Sequence, residues 1–150
     1  MSSESGRAGR GRQVGLALVA ALAIVAGCDL LPRSGIFFPT DLSGSNVSPT
    51  ARTAGTLTLE DGCLWLSQGD ERLLLIWPPG YSPALRNDQV AVLDAAGTEV
   101  ARVAERLAVG GGEMRAGPTP NADAYAEEIT RQRVPAPCRL GRYWKIGGIL

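Results

Sequence analysis

Apolar and polar residues alternate most regularly over residues 55–77, in the stretch GTLTLEDGCLWLSQGDERLLLIW. Two turn signals, Asp61-Gly62 and Gly69-Asp70, divide it into three segments, and such pairs between apolar runs are typical of β-hairpins. With two-residue turns, every second side chain of the three strands falls on one face. That face holds Leu57, Leu59, Leu64, Leu66, Leu73 and Leu75. The sequence predicts a three-stranded meander with these leucines in the core, each contributing about 2 kcal/mol.

The opposite face of this meander is mixed, and we expect it to be partly covered. It carries Thr56, Thr58, Glu60, Cys63, Trp65, Ser67, Arg72, Leu74 and Ile76. A rival interpretation makes residues 55–67 one bent strand with a bulge at Asp61-Gly62. That interpretation keeps the second hairpin and loses the first.

A further hairpin is predicted from residues 89–93 and 98–103, joined by the four-residue loop 94–97. The apolar residues 107–109 then lead into three glycines at 110–112. Glycines at these positions let the backbone turn sharply or approach another strand closely. A tight turn is the expected outcome, since no Lys-Ser/Thr follows to make a phosphate-binding loop.

Asn121 can cap a helix that continues to about Arg133, before prolines at 135 and 137 stop it. Residues 143–146 then predict a last strand. Five or six short strands and one late helix indicate a mainly all-β fold, either a small barrel or a rolled antiparallel sheet. An OB-like topology is the named arrangement that this strand count suggests.

The amino-terminal region has a different pattern. Residues 1–13 carry three arginines, and residues 14–26 are free of charge, as in the basic and apolar regions of a secretory signal peptide. A membrane-spanning helix needs about 20 apolar residues, so this run is short for a permanent anchor.

The four residues Val25-Ala26-Gly27-Cys28 resemble the lipobox of bacterial lipoproteins. This resemblance implies a diacylglycerol on the Cys28 sulfur, cleavage between Gly27 and Cys28, and location at the cell membrane, facing the periplasm or the cell exterior. The alternatives are a signal peptide that is cut elsewhere, or an uncleaved anchor in which Cys28 is incidental.

We therefore divide the chain into a signal peptide (1–27), a lipidated amino terminus with a flexible linker (28–54) and a small β domain (55–150). The linker is rich in Ser, Thr, Gly and Pro, and as a coil it would span about 28 Å. Its apolar cluster Ile36-Phe37-Phe38 would lie in the bilayer interface or dock on the domain.

Cys63 and Cys138 are the cysteines that remain if Cys28 is acylated. In an exported domain two such cysteines favour a disulfide, which would close a loop of about 75 residues and contribute roughly 4 kcal/mol. Two free buried thiols or a redox pair are the alternatives. The pair is not a Cys-x-x-Cys motif, which argues against redox catalysis.

Charge and composition exclude several classes of function. Loss of residues 1–27 removes three basic residues and one acid, which leaves 12 basic and 14 acidic residues and a net charge of −2. Such a domain lacks the basic footprint of a nucleic-acid partner. Histidine is absent, which excludes Ser-His and Cys-His catalytic pairs and imidazole metal sites. We predict no metal, no cofactor and no catalytic residue.

Two remaining groups of side chains have a possible chemical use. The acids Asp61, Asp70, Glu71 and Asp94 stand at predicted turns, do not match EF-hand spacing and are best explained by turn chemistry. The aromatic residues Trp77, Tyr81, Tyr143 and Trp144 would form a binding surface or, as we expect, belong to the core.

The segments GCLWL, LLLIWPPG, GTEVARVAERLAVGGGE and the late GRYWKIGG resemble small secreted bacterial domains, a resemblance that implies no activity. We expect a non-catalytic binding or structural module, anchored to the membrane by lipid, with an envelope protein or glycan as partner. The alternative is a carboxylate-based envelope enzyme acting on glycans, which needs two carboxyls about 5–10 Å apart in a pocket.

Overall fold

The computed structural model describes residues 35–44, 50–114 and 121–150. This part of the chain is mainly β, as predicted. Its elements, in order, are β1 (Ala51–Glu60), β2 (Cys63–Gln68), β3 (Glu71–Ile76), β4 (Ser82–Arg86), β5 (Gln89–Leu93), β6 (Glu99–Arg102), β7 (Arg106–Met114), α1 (Ala122–Thr130), a short 3₁₀ helix (Ala136–Cys138) and β8 (Tyr143–Ile149).

Five of the strands close into a barrel in the order β1-β2-β3-β8-β7, and β4-β5-β6 form a separate three-stranded sheet, here called the small sheet. The pairs are antiparallel, except that β3 and β8 run parallel. The predicted small barrel is confirmed, with a single parallel seam among its antiparallel pairs. Parallel pairing needs a long crossover, and the small sheet, β7 and α1 supply it. The small sheet is inserted after the third barrel strand, and the strand order is consistent with an OB-like barrel.

The predicted meander is confirmed residue by residue. Leu57 lies opposite Leu66 and Leu59 opposite Leu64, and Leu66 lies opposite Leu73 on the next strand. The leucine face is the inner face of the barrel: five of the six leucines are at most 5% exposed, and Leu59 packs partly buried against them.

The rival bent strand is wrong, because residues 61 and 62 form a two-residue turn. Asp61 (φ 51°) and Gly62 (φ 78°) both have positive φ, as a type I′ turn requires. A Cβ at Gly62 would overlap the carbonyl oxygen of Gly35, so only glycine permits this approach.

The outer face of β2 and β3 is buried beneath a second layer. Cys63, Trp65, Leu74 and Ile76 are each at most 2% exposed. They cluster with residues of α1 and of the segment that follows it, namely Ala126, Ile129, Val134 and Cys138. We call α1 and residues 131–142 the outer layer. The mixed face is therefore partly covered, as predicted, since Thr56 and Glu60 at its edge stay exposed.

The small sheet contains the predicted hairpin of β5 and β6, together with β4, which the sequence reading missed. β4 joins β5 through Asn87 (φ 49°) and Asp88 (φ 60°). This is again a two-residue turn with positive φ at both positions. Val92 of β5 belongs to the inner core cluster, and Val90 and Val100 pack partly buried against it.

The three glycines at 110–112 form no tight turn, so that prediction is wrong. They lie within β7, whose register with β8 shifts between Gly110 and Gly111. Gly111 has φ 148°, and a Cβ there would overlap the carbonyl oxygen of Lys145. Close approach of two strands, the other outcome considered, is the reason for glycine at this position.

Helix α1 begins as predicted, with the Asn121 side chain accepting a hydrogen bond from the Asp123 amide at 2.7 Å. It ends at Thr130, three residues before the predicted end, because Arg131 has a left-handed conformation (φ 54°). The Thr130 hydroxyl donates to the Ala126 carbonyl at 2.7 Å, so the last turn is held from within.

Candidate functional site

The predicted lipid-attachment residue, Cys28, lies outside the described residues, as do residues 1–27. The first residue that the structure describes is Gly35, and the chain contacts the barrel from this residue onward. We call residues 35–42 the strap. β1 begins at Ala51, four residues before the domain start expected at residue 55.

The strap is held to the barrel by backbone hydrogen bonds. The Phe37 amide donates to the Gly62 carbonyl at 2.7 Å, and the Asp41 amide donates to the Trp77 carbonyl at 2.8 Å. In return the Trp77 amide donates to the Pro39 carbonyl at 2.9 Å. The strap therefore pairs like a short parallel strand with the start of β2 and the end of β3.

Aromatic side chains reinforce this docking. The rings of Phe38 and Trp77 are stacked with centroids 5.1 Å apart, and Tyr81 lies 6.2 Å beyond on Trp77. Ile36 and Phe38 pack against the inner core cluster, whereas Phe37 packs against the outer one. Of the two alternatives for this apolar cluster, the structure shows docking on the domain.

A largely buried ion pair fastens the end of the strap. Lys145 Nζ lies 2.7 Å from Asp41 Oδ2, with side chains 16% and 10% exposed. Burial alone would raise the pKa of Asp41, but hydrogen bonds from Lys145 and Ser43 outweigh it and hold that pKa below its ordinary value of 3.8. Asp41 is therefore kept charged, as the partner of a lysine on β8.

The two predicted disulfide residues are brought together. Cys63 and Cys138 are joined with their Cα atoms 5.6 Å apart, across 75 residues of sequence. Both are almost completely buried. The bond connects the start of β2, where the strap pairs, to the 3₁₀ helix of the outer layer.

The four aromatic residues considered as a binding surface belong mainly to the core. Trp77 and Tyr143 are 0% exposed and Trp144 is 7% exposed, while Tyr81 is partly buried against the inner cluster. Tyr143 donates a hydrogen bond to Asp123, and burial together with this bond raises the pKa of Tyr143 well above its ordinary value. These aromatics pack; they do not form an open face.

Arginines of the outer layer pair with carboxylates of α1, β3 and β7. Glu127 accepts from Arg139 at 3.0 Å and from the Val134 amide at 3.0 Å. Glu71 and Glu113 both lie 3.0 Å from the Arg142 guanidinium. The Arg142 guanidinium thus bridges the Glu71 and Glu113 carboxylates.

Of the four acids expected at turns, Asp61 and Asp70 lie in two-residue turns, whereas Glu71 is the first residue of β3. The Asp94 carboxylate accepts from the amides of Ala96 and Thr98 at 2.9 and 2.8 Å. Within the described residues, no group of three or more Cys, Asp or Glu side chains could hold a metal ion. In the same residues, no helix has the length and apolarity to cross a bilayer.

In OB-folds, the face of the second and third strands binds oligonucleotides and oligosaccharides. In this protein that face is formed by β2 and β3, and it is buried under the outer layer. The most exposed strand of the small sheet is β4, with four of its five residues exposed.

Comparisons with known proteins add no relative. No family model matches the chain, and neither a curated protein nor a solved structure matches it.

The sequence left docking of the strap as one of two alternatives and did not predict the Asp41–Lys145 pair. The available signal was the cluster Ile36-Phe37-Phe38 in a polar stretch. The ion pair gave no signal, because it joins residues 104 positions apart.

Proposed function

We propose that the protein is a bacterial envelope lipoprotein, exported, cleaved before Cys28 and held at the membrane by lipid on that cysteine. The observation that carries the proposal is the lipobox-like Val25-Ala26-Gly27-Cys28 at the end of the uncharged apolar run 14–26. One acyl chain binds a membrane weakly, so the two or three chains implied by the resemblance are what makes the anchor stable.

The Cys63–Cys138 pair supports export. Structural disulfides persist in oxidising compartments and are rare in the cytosol. The pair is buried, distant in sequence and joined in the structure, as a structural bond in a secreted domain would be.

The domain acts, on this proposal, as a non-catalytic binding or structural module. Two observations support this role. Several carboxylates are used in ion pairs, such as Glu127 with Arg139. The strap, fastened by Asp41, holds residues 35–42 against the barrel. The exposed small sheet is then the surface for an envelope partner.

The test is mass spectrometry of the mature protein from its native membrane. We expect an amino terminus at Cys28 carrying acyl chains, and we expect Cys28→Ala to leave the chain uncleaved or released. Cys63→Ala is the matched control, since it removes a thiol but should leave cleavage and lipidation unchanged. Mature protein with a bare Cys28 thiol, or with residues 14–26 still attached, would refute the proposal.

A further inference from the structure

The distance between the anchor and the barrel is short. This inference rests on the proposed function, in which Cys28 carries the lipid. Seven residue steps separate Cys28 from Gly35, and fully extended they span at most about 25 Å. A domain of this size is roughly 30–35 Å across. The side of the domain around Gly35 is therefore the side nearest the bilayer.

The outer layer lies on the strap's side of the domain, because it contacts the strap directly at one end and is linked to it through Cys63 at the other. The Leu42 amide donates to the Ile129 carbonyl at 2.8 Å, which places the strap's end beside the end of α1. At the other end Cys138 is bonded to Cys63, the residue with which Phe37 pairs. Residues 129–140 thus lie alongside the strap.

The exposed surface of this segment is basic and partly apolar. Residues 129–150 contain five basic residues and no acid. Arg131 and Arg133 are exposed, and neither forms an ion pair with any residue the structure describes. Leu42 and Leu140 are 46% and 47% exposed. We call Leu42, Arg131, Arg133 and Leu140 the anchor-side patch.

The other charged groups near the patch are mostly paired. Arg139 is bound to Glu127, and Arg142 to Glu71 and Glu113. The exposed acids Asp61 and Glu128 flank the patch. The two unpaired arginines are thus the cations available to an outside partner.

We propose that the anchor-side patch rests on the anionic phospholipid headgroups of the bilayer that holds the chain. The arginines contact phosphates, and the two leucines enter the headgroup boundary. Basic residues next to an anchor are attracted by anionic lipids, and an apolar side chain beside them adds interfacial binding. The lipid anchor supplies retention, whereas the patch fixes which side of the domain faces the membrane.

The test places an indole on the patch in the full chain, reconstituted in vesicles of phosphatidylglycerol and phosphatidylcholine that contain a headgroup-level quencher lipid. Leu140→Trp reports the patch, and Leu85→Trp is the matched control, since Leu85 is 55% exposed on the small sheet. Wild type gives the background of the three native tryptophans. We expect the indole at position 140 to be quenched at least about twofold more than the one at position 85.

Charge dependence makes the test specific. In L140W, adding Arg131→Gln and Arg133→Gln should reduce the excess quenching to the level of the control, and so should raising salt from about 0.05 M to about 0.5 M. Arg86→Gln with Arg106→Gln removes the same charge elsewhere and should leave it unchanged. Leu42→Trp gives a second position if L140W is unstable.

Equal quenching at positions 140 and 85, or quenching unaffected by the arginine changes or by pure phosphatidylcholine vesicles, would overturn the inference. The mass of the mature amino terminus is measured on the same samples. Acylated Cys28 without the positional difference refutes the patch alone. If Cys28 is bare but quenching at position 140 still exceeds that at position 85, the chain is held by its apolar segment. That result refutes the lipoprotein proposal alone.

Discussion

The outer layer and the small sheet are both additions to the same five-stranded barrel, but different bonds hold them. The outer layer and the strap depend on contacts between distant residues: the Cys63–Cys138 disulfide and the Asp41–Lys145 pair. The small sheet depends on neighbouring strands joined by short turns.

This difference indicates how each region responds to substitution. In the outer layer a single change removes a constraint that spans much of the chain, so its cost is large. In the small sheet a change at a turn alters only local backbone energy, so its effect is small and can have either sign. The predictions below test this contrast.

The largest effect is expected from loss of the disulfide. The double variant Cys63→Ala, Cys138→Ala should lose roughly 2–4 kcal/mol of unfolding free energy, because a closed loop of 75 residues restricts the unfolded chain. Thermal unfolding should show a fall in Tm of about 10 °C. Reductant should lower the Tm of wild type by a similar amount and leave the variant unchanged. A wild-type Tm that is the same with and without reductant would show that the bond does not form.

A smaller loss is expected at the strap. Asp41→Asn removes the charge that pairs with Lys145, and at pH 7 we expect a loss of about 1–2 kcal/mol, since the pair is largely buried. Glu60→Gln, which breaks the exposed pair with Arg72, is the control and should cost less than about 1 kcal/mol.

The pH dependence of the Asp41 effect has a definite sign. The pKa of Asp41 is lowered below 3.8 in the folded protein, so the folded state binds fewer protons than the unfolded state near that pH. The stabilisation that the Asp41 charge provides is fully present above the pKa of Asp41 in the unfolded chain. It is lost as the pH falls through the lower pKa of Asp41 in the folded protein. The stability difference between wild type and D41N should therefore shrink below about pH 4. A difference that is constant between neutral and strongly acidic pH would contradict this role.

The same contrast explains what could be predicted from the sequence. The leucine meander was predictable because alternation and turn residues are local signals, and Leu57 and Leu66 are paired as expected. The Asp41–Lys145 pair and the parallel β3–β8 seam were not, because nothing local in these residues indicates a partner so far away.

Two errors came from ambiguous local signals. Glycines at 110–112 are compatible with a tight turn and with the close approach of two strands. The position of the Lys145 backbone beside Gly111 shows which of the two applies. The strand β4 was missed because Pro83 lies within it and prolines are uncommon in strands. An edge strand tolerates proline, and β4 is an edge of the small sheet.

The disulfide could be predicted from the sequence for a different reason. If Cys28 is acylated, as proposed, Cys63 and Cys138 are the single possible pair, so counting cysteines favoured this bond. The candidate binding surfaces were harder to predict from the sequence. The exposure of Leu140 and the burial of β2 and β3 depend on where the outer layer packs.

The smallest effect, and one of opposite sign, is expected in the small sheet. Asp88 has φ 60° at the second position of the β4–β5 turn, where glycine is preferred. Asp88→Gly should relieve this strain and stabilise the protein by about 0.5–1 kcal/mol. Asp70→Gly is the matched control at the β2–β3 turn, because Asp70 does not have positive φ. Glycine at position 70 relieves no strain and only increases the conformational entropy of the unfolded chain, so it should destabilise the protein by about 0.5 kcal/mol. Chemical denaturation of both variants measures the two signs. Equal changes in unfolding free energy for the two variants would mean that turn geometry does not determine the stability of the small sheet. The contrast drawn with the outer layer would then be wrong for the small sheet.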